Sequence, residues 1–388
     1  MKTHEPTIDK RPRITSIDTL RGLAMFLMLV GHTRVNFFVP IDVADPMNIE
    51  EVPTALFLTR LTGHICTFIF IFLTGVSVSL MATRQKLTES ELSLFLLKRG
   101  LILILFEFTL VSFGWSLNFP PHGLHLQVIW ATGLCMLFLS ALIWLPRFAI
   151  LAVGAVIVVG HNLLDGFSVS DHSPFFLFWA ILHEQAFIDF GESFYMRIAY
   201  PVLPWIGVMA IGYWSGQFFE KVPTAQQRSR IFLGLGLTLL TAFVLIRLMN
   251  GYGEQPYLVT SDIGATIRSF VNVTKYPPSL LYLLLTAGCT CLLFSLFERT
   301  SQSALLKPLR TIGSAPMFFY LAHLYLLQAV HFLLRVSGMS TAEQALHIHR
   351  MLGIWLLALA LALCLYWPTR WFANLKKRRK DWAWLQYF

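Results

Sequence analysis

The fold is decided by an apolar run near the end of the chain, MLGIWLLALALALCLYWPT, which occupies residues 351–369 without a charged side chain. At a rise of about 1.5 Å per residue, a helix of this length covers roughly 30 Å, the thickness of the hydrocarbon core of a bilayer. A soluble helix rarely has such a run, because one of its faces meets water. The run therefore predicts a transmembrane helix.

Comparable apolar runs precede it along the chain, so the sequence predicts an all-α, polytopic integral membrane helix bundle with about ten transmembrane helices. The predicted spans are 17–39, 56–82, 94–117, 126–145, 147–164, 200–219, 230–249, 279–298, 311–335 and 351–371. The chain is 56% hydrophobic and only 13% charged, whereas soluble domains are roughly one-quarter charged. Since no soluble domain or repeat is evident, a single membrane-embedded domain over 1–388 is predicted.

The positions of basic residues predict the orientation. Lys and Arg collect in short loops that remain cytoplasmic, and here they concentrate in 84–99, 221–230 and 299–310. These loops share one side only when the N-terminal segment 1–16 and the basic tail 372–388 are both cytoplasmic. The net charge of +9 is thereby explained by topology and by contact with the lipid bilayer, with no need for nucleic acid.

The predicted outer face carries the longest connections, around 165–199 and 250–278, which suggests a site reached from outside. Residues 174–188 are apolar but too short to span a bilayer, so a re-entrant or interfacial segment is predicted there.

Ionisable side chains inside a bilayer are costly, and each is a candidate for function. Asp18 and Arg21 lie three residues apart near the inner end of the first predicted span. They form either an ion pair that begins the helix or part of a phosphate-binding site, for which the planar guanidinium of Arg21 is suited. At the outer end of the same helix lie His32 and Arg34.

His32 is either a general base or a structural histidine bonded to a neighbouring helix. Glu107, in the third span, either orients the ring of His32 or forms a hydrogen bond across helices. His323 lies in the ninth span and is a candidate substrate-binding residue.

Further candidates for the lining of a substrate pocket are predicted at the outer face. His161 and Asp165 end the fifth span, and Gln127 begins the fourth. Lys275 and Tyr276 precede two prolines that stiffen the start of the eighth span. These two residues either bind a substrate in this pocket or anchor the chain at the membrane interface. No metal site is predicted, because His122/His125 and His347/His349 lack carboxylate or cysteine partners at zinc-site spacing.

Several short motifs are distributed along the chain. The first is RITSIDTLRGLA at 13–24, followed by GHTR at 31–34, and the others are LQVIWA at 126–131, GHNLLDG at 160–166, PVLPWIGVM at 201–209, TKYPPSL at 274–280 and FFYLAH at 318–323. Together these motifs, and most of all the first, resemble the heparan-alpha-glucosaminide N-acetyltransferase catalytic-domain family in its bacterial branch, which is related to the broader acyltransferase-3 group.

The resemblance implies an acyltransferase that takes an acetyl group from acetyl-CoA in the cytoplasm and delivers it to a sugar amine or hydroxyl across the membrane. It implies that His32, assisted by Glu107, performs catalysis and that Asp18, Arg21 and Arg34 bind the acyl-CoA. Gln127, His161, Asp165, Lys275, Tyr276 and His323 are assigned to the carbohydrate or glycoconjugate acceptor. The location implied is the bacterial inner membrane, and both a monomer and a homo-oligomer remain open.

Two mechanisms remain open, direct transfer with His32 as general base and an acyl-histidine intermediate. The alternative functions are a secondary transporter of a small polar or anionic solute and a non-catalytic membrane subunit that presents its outer loops to a partner.

Overall fold

The structure is a computed structural model that describes residues 14–38, 47, 52–191, 194–222, 224–337, 348, 350–379 and 381–387. Its first helices are α1 (Thr15–Phe37), α2 (Thr54–Thr62), α3 (His64–Gln85), α4 (Glu89–Phe106), α5 (Ser112–Ser116), α6 (Val128–Leu142), α7 (Arg147–Gly160) and α8 (Phe176–Leu182). The others are α9 (Leu203–Lys221), α10 (Ala225–Met249), α11 (Ile263–Val271), α12 (Leu280–Arg299), α13 (Lys307–Gly313), α14 (Pro316–Val336) and α15 (Met351–Arg378). A π-helical turn, Glu107–Val111, joins α4 to α5. Short 3₁₀ turns lie at His161–Leu164, Ala304–Leu306 and Ala383–Tyr387.

The protein is mostly helical, and a helix lies at each predicted span. Six stretches of the described residues are long and apolar enough to cross a membrane: Thr54–Gln85, Arg147–Leu164, Ala225–Met249, Leu280–Arg299, Pro316–Leu334 and Met351–Arg378. The helices at the other four predicted spans are shorter or more polar; α6, for example, has only 15 residues. The number ten therefore stays a prediction. The helix predicted to end at residue 371 continues to Arg378.

Small residues bring neighbouring helices into close contact, as is common when membrane helices pack without help from water. At three crossings, glycines face each other so closely that a Cβ on either residue would meet the backbone oxygen of the other at 2.8–3.3 Å. These pairs are Gly100/Gly133 between α4 and α6, Gly154/Gly207 between α7 and α9, and Gly236/Gly288 between α10 and α12.

The first helix is central to the bundle, because α1 contacts α3, α12, α13, α14 and α15. Its crossing with α13 is the closest of these approaches. A Cβ on Gly22 would meet the carbonyl oxygen of Leu309 at 1.9 Å, and one on Gly313 would meet that of Asp18 at 1.8 Å. The two glycines thus fix how α1 lies in the molecule, and α1 carries both predicted polar clusters.

A buried polar network ties the start of α1 to two other helices. Arg228 donates to the Glu298 carboxylate at 2.8 Å, and the Ser16 hydroxyl donates to the other oxygen of that carboxylate. All three side chains are buried. Buried charges persist only when they are paired in this manner, so this network has a structural role.

The loops add a small sheet that the all-α prediction did not include. Its strands are β1 (Gly123–Leu126), β2 (Ala186–Asp189) and β3 (Tyr195–Ile198), in the order β1-β3-β2. β1 pairs with β3 in parallel, and β2 pairs with β3 antiparallel. The segment 174–188, predicted to be re-entrant or interfacial, forms α8 and most of β2.

Candidate active site

The helix α1 separates its two polar clusters along its length. Asp18 and Arg21 lie in its first two turns, and His32 and Arg34 lie in its last two. Fourteen residues separate Asp18 from His32, which corresponds to about 20 Å along a helix axis. We call the two ends of the molecule the Arg21 end and the His32 end.

A cavity of about 620 Å³ opens around His32, a size in the range of small-molecule sites. It is built by α1, α2, α3, the α5 turn, the sheet and the segment before α12. Its lining includes Gly31, His32, Arg34, Arg60, Thr67, Trp115, His122, His125, Gln127, Gln185, Tyr195, Arg197, Tyr200, Lys275, Tyr276 and Tyr320. His32 is half-buried and lines this cavity.

The charge in the cavity is of one sign. Four cationic side chains line it, Arg34, Arg60, Arg197 and Lys275, and no Asp or Glu belongs to the described part of the lining. Fixed charges of one sign in a low-dielectric cleft focus the field and attract ligands of opposite charge. The cavity therefore favours a ligand that carries negative charge.

His32 is held by a second histidine. Its Nδ1 lies 2.7 Å from Nε2 of His323, on α14, and the two rings are nearly parallel, with centroids 5.0 Å apart. His323 is fully buried, and its Nδ1 lies 3.0 Å from the carbonyl oxygen of Phe319. The indole of Trp115 packs against the His32 ring in an edge-to-face arrangement, at a centroid distance of 4.8 Å. His323 thus contacts the edge of the His32 ring that bears Nδ1, and it does not line the cavity.

Of the two alternatives for Glu107, the hydrogen bonds described for it are those across helices, to the start of α6. Its two carboxylate oxygens accept hydrogen bonds from the backbone N–H groups of Gln127 and Trp130, at 3.2 and 3.0 Å. These groups are among the unpaired donors at the start of α6, where a negative charge is favoured. Glu107 therefore caps α6 and positions Gln127, whereas the ring of His32 is hydrogen-bonded to His323.

Lys275, Tyr276 and Tyr200 form one wall of the cavity. The Lys275 ammonium lies 5.1 Å from the ring centroid of Tyr276 and 5.9 Å from that of Tyr200. The two tyrosine hydroxyls are 3.2 Å apart, and that of Tyr200 lies 3.3 Å from Thr67 on α3. All three side chains thus belong to the lining of the cavity, and acceptor binding by Lys275 and Tyr276 stays a prediction.

The sheet forms the opposite wall through side-chain alternation. Neighbouring residues of a strand point to opposite faces, and here Gly123, His125, Tyr195 and Arg197 share the face that lines the cavity. The Tyr195 hydroxyl lies 3.0 Å from His125 Nε2. Burial, and then the charge of Arg197, lower the pKa of His125, so this imidazole stays neutral near neutral pH.

At the other end of α1, Arg21 is engaged with α3. Its guanidinium donates to the carbonyl oxygen of Leu73 at 3.1 Å and to the hydroxyl of Ser77, and it lies 3.9 Å from Asp18. Neither Asp18 nor Arg21 lines the cavity around His32. The ion pair that begins the helix is present, and phosphate binding at this end stays a prediction.

His161 and Asp165 lie outside the His32 cavity. His161 is buried, and its Nε2 lies 2.7 Å from the carbonyl oxygen of Pro278, which joins α7 to the start of α12. Asp165 accepts hydrogen bonds from His183 and Asn162 and lines a second cavity of about 360 Å³, together with Glu184 and Glu254.

The structure thus brings five of the predicted residues into one cavity, His32, Arg34, Gln127, Lys275 and Tyr276. The sequence analysis missed Arg60, Arg197 and Tyr200. Arg60 could have been identified from the sequence, because it is a charged residue inside the predicted span 56–82. Arg197 and Tyr200 could not, since only the pairing of β3 with β1 and the packing against Tyr276 bring them to the cavity.

Comparison with known families gives a decisive match. The family model described as heparan-alpha-glucosaminide N-acetyltransferase, catalytic, matches residues 13–246, which is more than half of the chain. The chain belongs to this family. The match confirms the resemblance inferred from the motifs, and it supports a membrane acetyltransferase. No match was found among the curated proteins.

The matched region of this family member contains His32, Glu107 and Gln127, whereas Lys275, Tyr276 and His323 lie beyond it. The cavity therefore combines residues from the matched region with residues from the following helices. Within the described ranges, no cluster of three or more His, Cys, Asp or Glu side chains is arranged to hold a metal ion.

Proposed function

We propose that this protein transfers an acetyl group from acetyl-CoA to the amine or hydroxyl of a carbohydrate acceptor, with His32 as general base. One observation carries the proposal: His32 lines a cavity of about 620 Å³, and its ring is hydrogen-bonded through Nδ1 to His323. A base that is both reachable and oriented is the geometric requirement for proton transfer. Family membership supports the acetyltransferase class.

The proposed reaction is direct transfer. The acceptor nitrogen or oxygen attacks the thioester carbonyl carbon while His32 Nε2 takes its proton. The carbon–sulfur bond then breaks, and the leaving thiolate receives that proton from His32, which yields CoA and the acetylated sugar. Gln127, Lys275 and Tyr276 all line the cavity and are the proposed donors to the oxyanion that develops during the attack.

For the acyl donor, we propose that the CoA phosphates bind at the Arg21 end, on the cytoplasmic side, with Asp18 helping to orient Arg21. The thioester then has to reach His32 along α1, over about 16 Å for eleven residues. The cationic lining of the His32 cavity offers a competing place for the phosphates, through Arg34 and Arg60. The two arrangements differ in which arginine controls affinity for acetyl-CoA.

The test uses full-length protein in nanodiscs, with acetyl-CoA binding measured by calorimetry and radiolabelled acetyl transfer measured on a panel of amino sugars and neutral sugars. We expect His32→Gln to bind acetyl-CoA as the wild type does and to lose about 10² or more in transfer rate. The matched control is His122→Gln, because His122 lines the same cavity and has no proposed role. It should retain transfer.

Two further variants test where the acyl donor, acetyl-CoA, binds. Arg21→Ala should weaken acetyl-CoA binding more than Arg34→Ala does, because Arg34 lies in the His32 cavity, at the other end of α1 from the proposed phosphate site. The reverse result would indicate that the phosphates of acetyl-CoA bind at the His32 end. If the wild type binds no acyl-CoA at all, the enzyme proposal fails, and solute uptake into proteoliposomes becomes the measurement for the transporter alternative.

A further inference from the structure

His323 is the buried partner of the proposed base, and its hydrogen bonds determine where its proton lies. Its Nδ1 is 3.0 Å from the carbonyl oxygen of Phe319. A carbonyl oxygen only accepts hydrogen bonds, so this nitrogen carries the proton. A neutral imidazole has one N–H group, and Nε2 of His323 is therefore an acceptor.

The position of the proton on His323 also determines the position of the proton on His32. Nε2 of His323 lies 2.7 Å from His32 Nδ1, and an acceptor at that distance requires a donor. His32 Nδ1 thus carries the proton, which leaves a lone pair on His32 Nε2. His32 lines the cavity, whereas His323 is fully buried and lies on the Nδ1 side of the ring, so Nε2 is the ring nitrogen left for the cavity.

We propose that His323 is a positioning residue that holds His32 in the tautomer with a free Nε2 directed to the cavity. The role rests on the proposed function of His32. Carboxylates often orient a catalytic imidazole in this way, but Glu107, the candidate carboxylate, is bonded to the start of α6. A neutral histidine performs the task here, and it adds no second charge within the bilayer.

The same hydrogen bond serves the next step of the reaction. When His32 Nε2 accepts a proton from the acceptor, its Nδ1–H remains bonded to His323, now as a charge-assisted hydrogen bond, which is stronger than the neutral one. The edge-to-face contact between Trp115 and the ring restricts movement of the imidazole in both protonation states. The proton on His32 then returns to the leaving thiolate, and the pair is restored.

The test that does not depend on turnover is nitrogen NMR of the full-length protein, labelled with ¹⁵N-histidine, in nanodiscs at about pH 8, where histidines with ordinary pKa values are neutral. Signals absent from His32→Gln identify His32. We expect the wild type to have the proton on His32 Nδ1 and none on Nε2. His323→Leu should yield a mixture of both tautomers. His323→Gln, which retains an acceptor in the side chain, should restore the preference of the wild type.

A wild-type His32 with its proton on Nε2 would overturn the proposal, and so would an unchanged tautomer in a folded His323→Leu. If that variant does not fold, the wild-type and His323→Gln spectra still decide the outcome. The second readout is acetyl transfer to glucosamine as the probe acceptor. His323→Leu should lower kcat by about 10-fold to 10²-fold at unchanged KM, with His323→Gln recovering most of it.

The two readouts separate the two proposals. The expected tautomer in the wild type, together with its loss in His323→Leu, supports the positioning role even when glucosamine is not acetylated. In that case the negative result counts against the proposed acceptor class or reaction. Wild-type kcat in His323→Leu overturns the positioning role while leaving the acetyltransferase proposal intact.

Discussion

At the scale of single residues, the polar groups of the bundle differ in how many hydrogen bonds they already make. Arg247 donates to four backbone carbonyls, those of Gln255, Ser269, Phe270 and Asn272. Glu107 uses both carboxylate oxygens on α6. His32 has one ring nitrogen bonded and its ring at a cavity. Of these three side chains, His32 is therefore the candidate for catalysis, because it lines a cavity and its second ring nitrogen is available for a further hydrogen bond.

A residue-scale prediction concerns Glu254, in the loop before α11. Burial raises the pKa of Glu254, against the effect of hydrogen bonds from Thr274 and Ser279. With a raised pKa, the folded state binds the proton more tightly than the unfolded state. The stabilisation from this carboxyl is therefore full below its ordinary pKa of 4.5 and is lost as the pH rises through the raised value.

We accordingly expect Glu254→Gln, which mimics the neutral form, to gain thermal stability relative to the wild type as the pH rises above about 4.5. Unfolding midpoints in detergent, measured across this range, check it. Glu91→Gln is the control with the opposite sign, because hydrogen bonds from Thr88 lower the pKa of Glu91. A Glu254→Gln difference that shrinks with rising pH would contradict the prediction.

At the scale of elements, the position of α1 depends on its crossing with α13. Gly22→Ala places a methyl group 1.9 Å from the backbone oxygen of Leu309, and backbone cannot yield as a flexible side chain does. We expect this variant to be destabilised by about 1–3 kcal/mol, as is typical of overpacking, or to misplace α1 and lose function.

Gly31→Ala is the matched control on the same helix, since a Cβ at Gly31 meets nothing within 4 Å. Its thermal stability in detergent should equal or slightly exceed that of the wild type, because Ala favours the helix over Gly. Equal destabilisation by the two substitutions would show that the α1–α13 contact does not set the effect.

At the scale of the whole molecule, the prediction is topological. With both ends in the cytoplasm, residue 86 follows the second predicted span and is cytoplasmic, whereas residue 171 follows the fifth and is external. Both side chains are exposed. In a variant without its native cysteines, Asp171→Cys should react with a membrane-impermeant maleimide in intact cells, and Lys86→Cys should react only after permeabilisation. Labelling of both positions in intact cells would rule out this topology.

The sequence by itself determined the apolar runs, the family and the polar residues of α1. These features are local, because the hydrophobicity of a run depends on its own residues alone. The same local reasoning missed the sheet, whose four-residue strands gain stability only from pairing across the chain. It also identified Glu107 as a buried carboxylate without being able to say which groups it contacts.

Only the tertiary structure decided the partners of the polar groups. His32 and His323 are 291 positions apart in sequence, and nothing in either segment indicates that α1 and α14 bring them together. Likewise, Glu107 is bonded to α6 and not to His32 because the packing of α4 against α6 places a set of unpaired N–H groups beside it. A polar side chain in a bilayer must find a partner, but the choice of partner depends on how the helices pack.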